Sequence, residues 1–281
     1  MQNREHIRIA ILDLYAGEPN QGMRCIREII NQWGDFKQLN VEFDEFDVRQ
    51  QLAVPDTSYD VYISSGGPGS PLESEGTEWE RRYFDWIARM EQWNLEALHV
   101  PKKKVFFICH SFQLACRYFQ LATVCKRKST AFGVFPVHML PYGKEEPVFQ
   151  GLTDPFFAVD SRDYQVIKPK REKLKAMGAH LLALEKIRPH VPFERAIMGI
   201  RFNEHFIGTQ FHPEADAEGM HMYLLREDKK QTVIQNHGKA KWQSMVEQLQ
   251  DPDKILRTHN HVLPNFLDLV LTAQQQAVVP A

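Results

Sequence analysis

Three short segments carry residues that can work together on one bond: SSGGPGSP at 64–71, FFICHSFQ at 106–113 and GTQFHPEAD at 208–216. The second segment ends an apolar run at Cys109. A thiol is mostly protonated at neutral pH, but a helix N-terminus behind it and an imidazole beside it both favour the nucleophilic thiolate. Cys109 is expected between a strand and a helix, where a sharp turn lifts the side chain above the sheet. The third segment offers His212 as a base and Glu214 as its orienting carboxylate. Residues two apart in an extended segment point the same way, so Glu214 can hold one ring nitrogen of His212 while the other faces Cys109. The first segment places Gly66 and Gly67 after a strand end, where backbone N–H groups have no side chain in their way. An N–H from this loop and the N–H of His110 form a candidate oxyanion hole. Each piece alone has an ordinary structural reading: a buried cysteine, a glycine-rich turn. Their order and their shared position at strand ends point to a site.

The elements that must position these residues follow from the hydrophobic pattern. Residues 7–15 and 60–65 are short apolar runs of the buried-strand type, and 41–48 alternates apolar and acidic residues, as an exposed or edge strand does. Residues 18–33 read as a helix with Met23, Ile26, Ile29, Ile30 and Trp33 inward, and 76–98 as a long amphipathic helix. Strand 103–109 leads into helix 111–122. This alternation predicts an α/β fold with an open, mainly parallel sheet and right-handed crossovers. From 124 to 211 the pattern changes to shorter strands that suit an antiparallel addition at the sheet edge. After Glu214 three helices are expected, at 216–232, 238–250 and 253–276, with a break at DPDK 251–254 and a frayed end at AVVPA. The expected organisation is a domain at 1–216 and a helical extension at 217–281 that packs on or beside it. Trp242, Met245, Leu249 and Leu256 supply the apolar positions of that extension.

With 281 residues, 43% hydrophobic, the chain can bury a real core. A net charge of −2 gives no nucleic-acid surface, and no apolar stretch approaches the ~18 residues that cross a bilayer. The four cysteines do not make a disulfide framework, and the N-terminus lacks a signal-peptide pattern, so a cytoplasmic setting is expected. Cys116 is expected in the core, and Cys25 and Cys125 in structural roles. His237, His259 and His261 lack metal-ligand spacing and are read as solvated, so no metal is expected. Nor is any cofactor.

The segments resemble the class I glutamine amidotransferase domain of the Cys-His-Glu type, similar to the glutaminase domain of GMP synthase, from residue 7 to residue 216. The matching motifs are Ser65-Gly66-Gly67-Pro68-Gly69, Phe107-Ile108-Cys109-His110-Ser111-Phe112-Gln113 and Gln210-Phe211-His212-Pro213-Glu214, with further likeness at FGVFPV 132–137 and DSRDYQV 160–166. The resemblance implies a flavodoxin-like fold. It implies that Cys109 attacks the side-chain amide of glutamine to form a γ-glutamyl thioester, and that His212 acts as base and then acid while Glu214 orients it. It assigns the oxyanion hole to the backbone of Gly67 and His110, and the substrate contacts to Gly66, Gln113, Ser161, Asp163 and Tyr164. Three positions depart from the family pattern. Phe107 and Ser111 replace glycines, which implies local repacking at Phe107, and Arg162 stands where histidine is usual.

No phosphate-binding loop accompanies these motifs, so an acceptor or synthetase for the ammonia is expected on another polypeptide. The resemblance leaves alternatives open. One is hydrolysis of other γ-glutamyl amides. Another is homoserine O-acyl transfer, in which an aspartate at the place of Asp216 can occur. A non-catalytic binding protein is a third, against which the intact Cys109, His212 and Glu214 argue.

Overall fold

The first strand shows how the sheet is built. In β1 (His6–Asp13) Ile7, Ile9 and Ile11 pack into one buried cluster, while Ala10 and Leu12 pack into another. Side chains alternate across a strand, and a strand that buries apolar residues on both faces must be covered on both. The computed structural model, which describes residues 6–96, 101–189, 191–249 and 251–278, has helices on both sides of this strand. On one face lies α1 (Gly22–Lys37), with Met23, Ile26, Ile29, Ile30 and Trp33 all buried as the spacing predicts. Burial of each such side chain contributes about 1.5–3 kcal/mol. On the other face lie α2 (Glu78–Glu96), with Tyr83, Trp86, Ile87 and Met90 buried, and α3 (His110–Tyr118). Arg117 of α3 pairs with the buried Glu80 of α2, which ties the two helices together.

The remaining strands are β2 (Asn40–Asp47), β3 (Val61–Ser64), β4 (Lys104–Ile108), β5 (Thr123–Met139), β6 (Phe156–Ile167), β7 (His180–Glu185), β8 (Ile197–Arg201) and β9 (Phe206–Thr209). Together with β1 they form one nine-stranded sheet in the order β2-β1-β3-β4-β9-β8-β7-β5-β6. Pairings from β2 to β9 are parallel, and those from β9 to β6 are antiparallel. The partly exposed β2 is an edge strand, as its alternation predicts. The antiparallel part differs from the expected series of short strands. β5 runs for 17 residues and β6 for 12, and the two pair along their lengths around an irregularity between Lys126 and Ala131. The polar stretch at 160–166 is therefore strand: Asp160 and Arg162 are buried on it as a pair.

Two short helices, α4 (Pro141–Glu145) and α5 (Arg171–Met177), and a 3₁₀ turn at Pro147–Phe149 connect these strands. The chain ends in α6 (Ala217–Leu225), α7 (Glu227–His237), α8 (Lys239–Gln248) and α9 (Pro252–Val278). The single helix expected at 216–232 is broken at Arg226, whose ψ of 126° is extended. Met245 and Leu249 are buried with Met220, Leu224 and Val233 against Val134 and Val159 of the β5–β6 pair, whereas Leu256 is exposed. α9 instead enters the main core, where Val262, Leu263, Phe266 and Leu267 are fully buried and Phe266 meets Phe106 edge-on at 5.1 Å. Residues 97–98, 250 and 279–281 of the expected helices and frayed end lie outside the described residues. Among the described residues no helix is long and apolar enough to cross a membrane.

The departure at Phe107 is absorbed by this packing. Phe107 is fully buried against Phe202 and Phe206, and Gly208 on the adjacent strand leaves room for it. A β-carbon on Gly208 would lie 2.8 Å from the Phe107 carbonyl oxygen and 2.9 Å from both its Cβ and the Phe112 ring. Gly208→Ala is therefore expected to destabilise the fold by about 1–3 kcal/mol, read as a lower midpoint in urea denaturation with an unchanged slope.

Candidate active site

Cys109 ends β4 and caps α3 with φ 49° and ψ −95°. A non-glycine residue held there costs about 1–3 kcal/mol and persists only where its surroundings fix it. The Cys109 N–H donates to the Thr209 carbonyl at 2.8 Å, and its own carbonyl accepts from the Gln113 N–H at 3.0 Å. Ser111, at a family glycine position, is fully buried and reinforces the turn. Its hydroxyl oxygen accepts from the Ile108 N–H at 2.8 Å and lies 2.8 Å from the Ser64 carbonyl as a donor. The result is a thiol raised at the carboxyl end of β4 with a helix N-terminus behind it.

His212 and Glu214 meet this thiol from the loop after β9. The His212 N–H bonds the Val159 carbonyl at 2.9 Å, which anchors the loop to β6. Nδ1 of His212 lies 2.7 Å from Oε1 of the buried Glu214, and the ring lines the same cavity as Cys109. The tautomer with a proton on Nδ1 leaves Nε2 for the sulfur. Burial disfavours charge on His212, but the Glu214 carboxylate and the Cys109 thiolate outweigh it and raise the pKa well above the usual histidine range. Gly66 does not line the cavity. It makes room for the imidazole, because a β-carbon there would sit 2.8 Å from Cε1 of His212 and 3.3 Å from the Tyr15 hydroxyl. Gly67 lines the cavity with His110 and passes so close to Leu14 that a β-carbon would lie 2.4 Å from its carbonyl. The His110 side chain is buried beside Trp79, and burial, with Arg49 and Arg117 adding to it, pushes its pKa down to about 3.

Four of the five residues expected to contact substrate, all but Gly66, also come together. Gln113, Ser161, Asp163 and Tyr164 line one cavity with Cys109 and His212. The Ser161 carbonyl is 3.9 Å from Cys109 Sγ, and Asp163 accepts a hydrogen bond from Thr130. Gln113 donates to the Tyr164 carbonyl at 3.3 Å and to Oε1 of Gln210 at 3.2 Å, and the Gln210 amide nitrogen approaches Cys109 Sγ at 3.8 Å. Arg162 lines the same cavity. Its guanidinium is held by Asp160 at 2.7 Å and Glu185 at 3.5 Å, with Arg127 and Arg188 also on Glu185. A buried arginine paired with two carboxylates is a fixed positive charge beside the thiol.

Several residues here had no role in the sequence reading. His259 of α9, expected to be solvated, is buried, and its Nδ1–H donates to the Glu214 carbonyl at 2.9 Å. His261 bonds the Arg257 carbonyl, and the His237 side chain lies outside the described residues. Tyr15 lines the cavity at the carboxyl end of β1, a strand-end position that could have been noticed. Asp216 caps α6 through the Gly219 N–H and holds Arg24 in a bidentate pair at 2.8 and 2.9 Å. Cys25 also lines the cavity, but burial, with Asp216 adding to it, pushes its thiol up to about 12. Cys116 is fully buried in the core, as expected.

The family model for glutamine amidotransferase class-I matches residues 26–232, and the chain belongs to that family. Similar solved structures include a glutamine amidotransferase from Thermotoga maritima, with 17% identity, a TM-score of 0.64, and 95% of this chain and 99% of that one covered. A protein from Thermoplasma acidophilum described as a GMP synthase component has 14% identity, a TM-score of 0.58, and 96% of each chain covered. The glutaminase domain of Trypanosoma brucei CTPS, solved with bound acivicin, has 13% identity, a TM-score of 0.57, and 93% of this chain and 94% of that one covered. At these identities the likeness is one of fold. No curated protein matches the chain significantly in sequence.

Glu214 is the nearest carboxylate to the His212 ring, so its neutral amide should lower the imidazole pKa. The protonated ring is present below its pKa and lost as pH rises through it. In Glu214→Gln that loss should therefore come at lower pH than in the parent, read from the pH dependence of Cys109 alkylation by iodoacetamide.

Proposed function

We propose that the chain hydrolyses the side-chain amide of glutamine through a thioester on Cys109. The observation that carries this reading is the strained Cys109, set at a helix N-terminus in one cavity with a His212 that Glu214 holds in one tautomer. Family membership supports a glutamine-hydrolysing role.

The steps follow from the groups at the site. His212 holds the proton taken from the thiol, and the Cys109 sulfur attacks the amide carbon. The oxygen becomes an oxyanion, stabilised by the backbone N–H groups of Gly67 and His110. As the C–N bond breaks, His212 gives its proton to the nitrogen and ammonia leaves. Water then attacks the thioester, His212 takes its proton, and glutamate departs as the sulfur is released. Glu214 keeps Nδ1 protonated throughout and offsets the imidazolium charge. Gln113 and the backbone at Ser161–Tyr164 hold the amino-acid end of the substrate, with Asp163 beside them. Arg162 supports that wall. No cofactor or metal enters any step.

Ammonia released in this way is useful to an acceptor or a synthetase on another polypeptide, which is the partner class we assign. Acyl transfer fits less well, since Asp216 already serves α6 and Arg24.

The test is ammonia release from L-glutamine by the purified chain. Cys109→Ala should lower the rate by more than about 10³-fold with an unchanged circular dichroism spectrum; a retained rate would exclude the thioester route.

A further inference from the structure

The cavity at Cys109 is larger than a carboxamide needs. Its volume is about 530 Å³, inside the range of roughly 300–1,000 Å³ typical of clefts that bury drug-sized ligands. One part surrounds Cys109, Gly67 and His212 and accounts for the reacting amide. A second part extends beyond it as an arm with walls from β5, α6 and α7. Thr130 and Phe132 come from β5, where Phe132 is in register with Ser161 and Thr130 lies at the irregularity just before the Ala131–Arg162 pair. Met220, Tyr223, Arg226 and Val233 come from α6, α7 and the residue between them.

The arm is apolar in character. The rings of Phe132 and Tyr223 lie 5.1 Å apart, tilted by 43°, and both are half-buried. Met220 and Val233 are buried beside them in the same cluster. The Arg226 guanidinium sits 5.7 Å from the Tyr223 ring centroid, a cation at an aromatic face. Free glutamine has nothing apolar to place against such a wall. Its charged amino and carboxylate ends gain nothing from Phe132, Met220 or Val233, and its leaving group, ammonia, is small and polar. The arm also has a definite place relative to the chemistry. α6 begins at Ala217, three residues after Glu214, so the helix that carries Met220 and Tyr223 follows directly from the loop that carries the proton-donating imidazole. His212 gives its proton to the departing nitrogen, so a substituent there starts on the His212 side of the same cavity.

We infer that the preferred substrate is a γ-glutamyl amide whose nitrogen bears an apolar or aromatic group, seated between Phe132 and the α6–α7 helices. This rests on the Cys109 chemistry proposed above and changes the leaving group from ammonia to a primary amine. The balance is otherwise the same. The S–C bond forms, the C–N bond breaks, the His212 proton goes to the amine nitrogen, and water returns the enzyme with release of glutamate.

The experiment compares L-glutamine with γ-glutamylbenzylamide on the purified full chain, beside Cys109→Ala, Tyr223→Ala and Phe132→Leu. The expected result is a Cys109-dependent kcat/KM about tenfold or more higher for the benzylamide, the scale on which apolar pocket contacts discriminate. Tyr223→Ala should lower the ratio of the two kcat/KM values, and Phe132→Leu, which keeps an apolar residue, provides an independent reading if the first variant folds poorly. A preference for L-glutamine, or a ratio that neither variant changes, would overturn this inference and leave the Cys109 chemistry standing. No hydrolysis of either compound, or hydrolysis that survives Cys109→Ala, would overturn the underlying reading and this one with it.

Discussion

The site depends on holding Cys109 in a backbone conformation that it would not adopt alone. A φ of 49° at a residue with a side chain needs constraints on both sides. β4 supplies one, since the Cys109 N–H is taken by Thr209 on β9. α3 supplies the other, through the Gln113 N–H and through the Arg117–Glu80 pair that anchors the helix to α2. Ser111 bridges the turn itself. The sheet order matters for the same reason. β9 lies beside β4, so the strand that restrains the cysteine also leads into His212 and Glu214. One pairing of two short buried strands brings both halves of the site together.

Charge is arranged around this point with the same economy. Glu214 is almost fully buried, which makes its carboxylate a strong influence on His212 and also a group that needs support. That support comes from outside the motif. His259 on α9 holds the Glu214 backbone, and the same helix fills the main core with Val262, Leu263, Phe266 and Leu267. The adjacent Thr258 also bonds the Phe157 carbonyl of β6. On the opposite wall the Asp160–Arg162–Glu185 network fixes a buried cation at the place of a family histidine. A buried ion network of this kind does not by itself stabilise a fold, since desolvation offsets its attraction. Its value here is a rigid strand edge next to Cys109.

Much of this was legible in the residues. The strand and helix spacing, the glycine loop, and the positions of Cys109, His212 and Glu214 are local patterns, and strand-end placement puts them on one edge of the sheet. The inward face of α1 was readable from five apolar positions, all of them buried. Other features were not legible for a physical reason. The continuation of β6 through Asp160 and Arg162 contradicts the polar look of that stretch, and the charges buried there are paired through Glu185 and Arg127, distant in sequence. Gly66 reads as an anion-binding glycine, whereas its position against His212 shows that it provides space for the ring.

The sequence alone determined the alternation of strand and helix, the family motifs, and the three residues proposed as nucleophile, base and carboxylate, because each is written within a few consecutive residues. Tertiary structure alone decided how Phe107 is accommodated by Gly208, how Gln113 reaches Cys109 through Gln210, and how His259 comes to hold Glu214. It also decided that α6 and α7 wall the cavity. These are contacts between residues far apart in the chain, and their geometry depends on packing that no local pattern encodes.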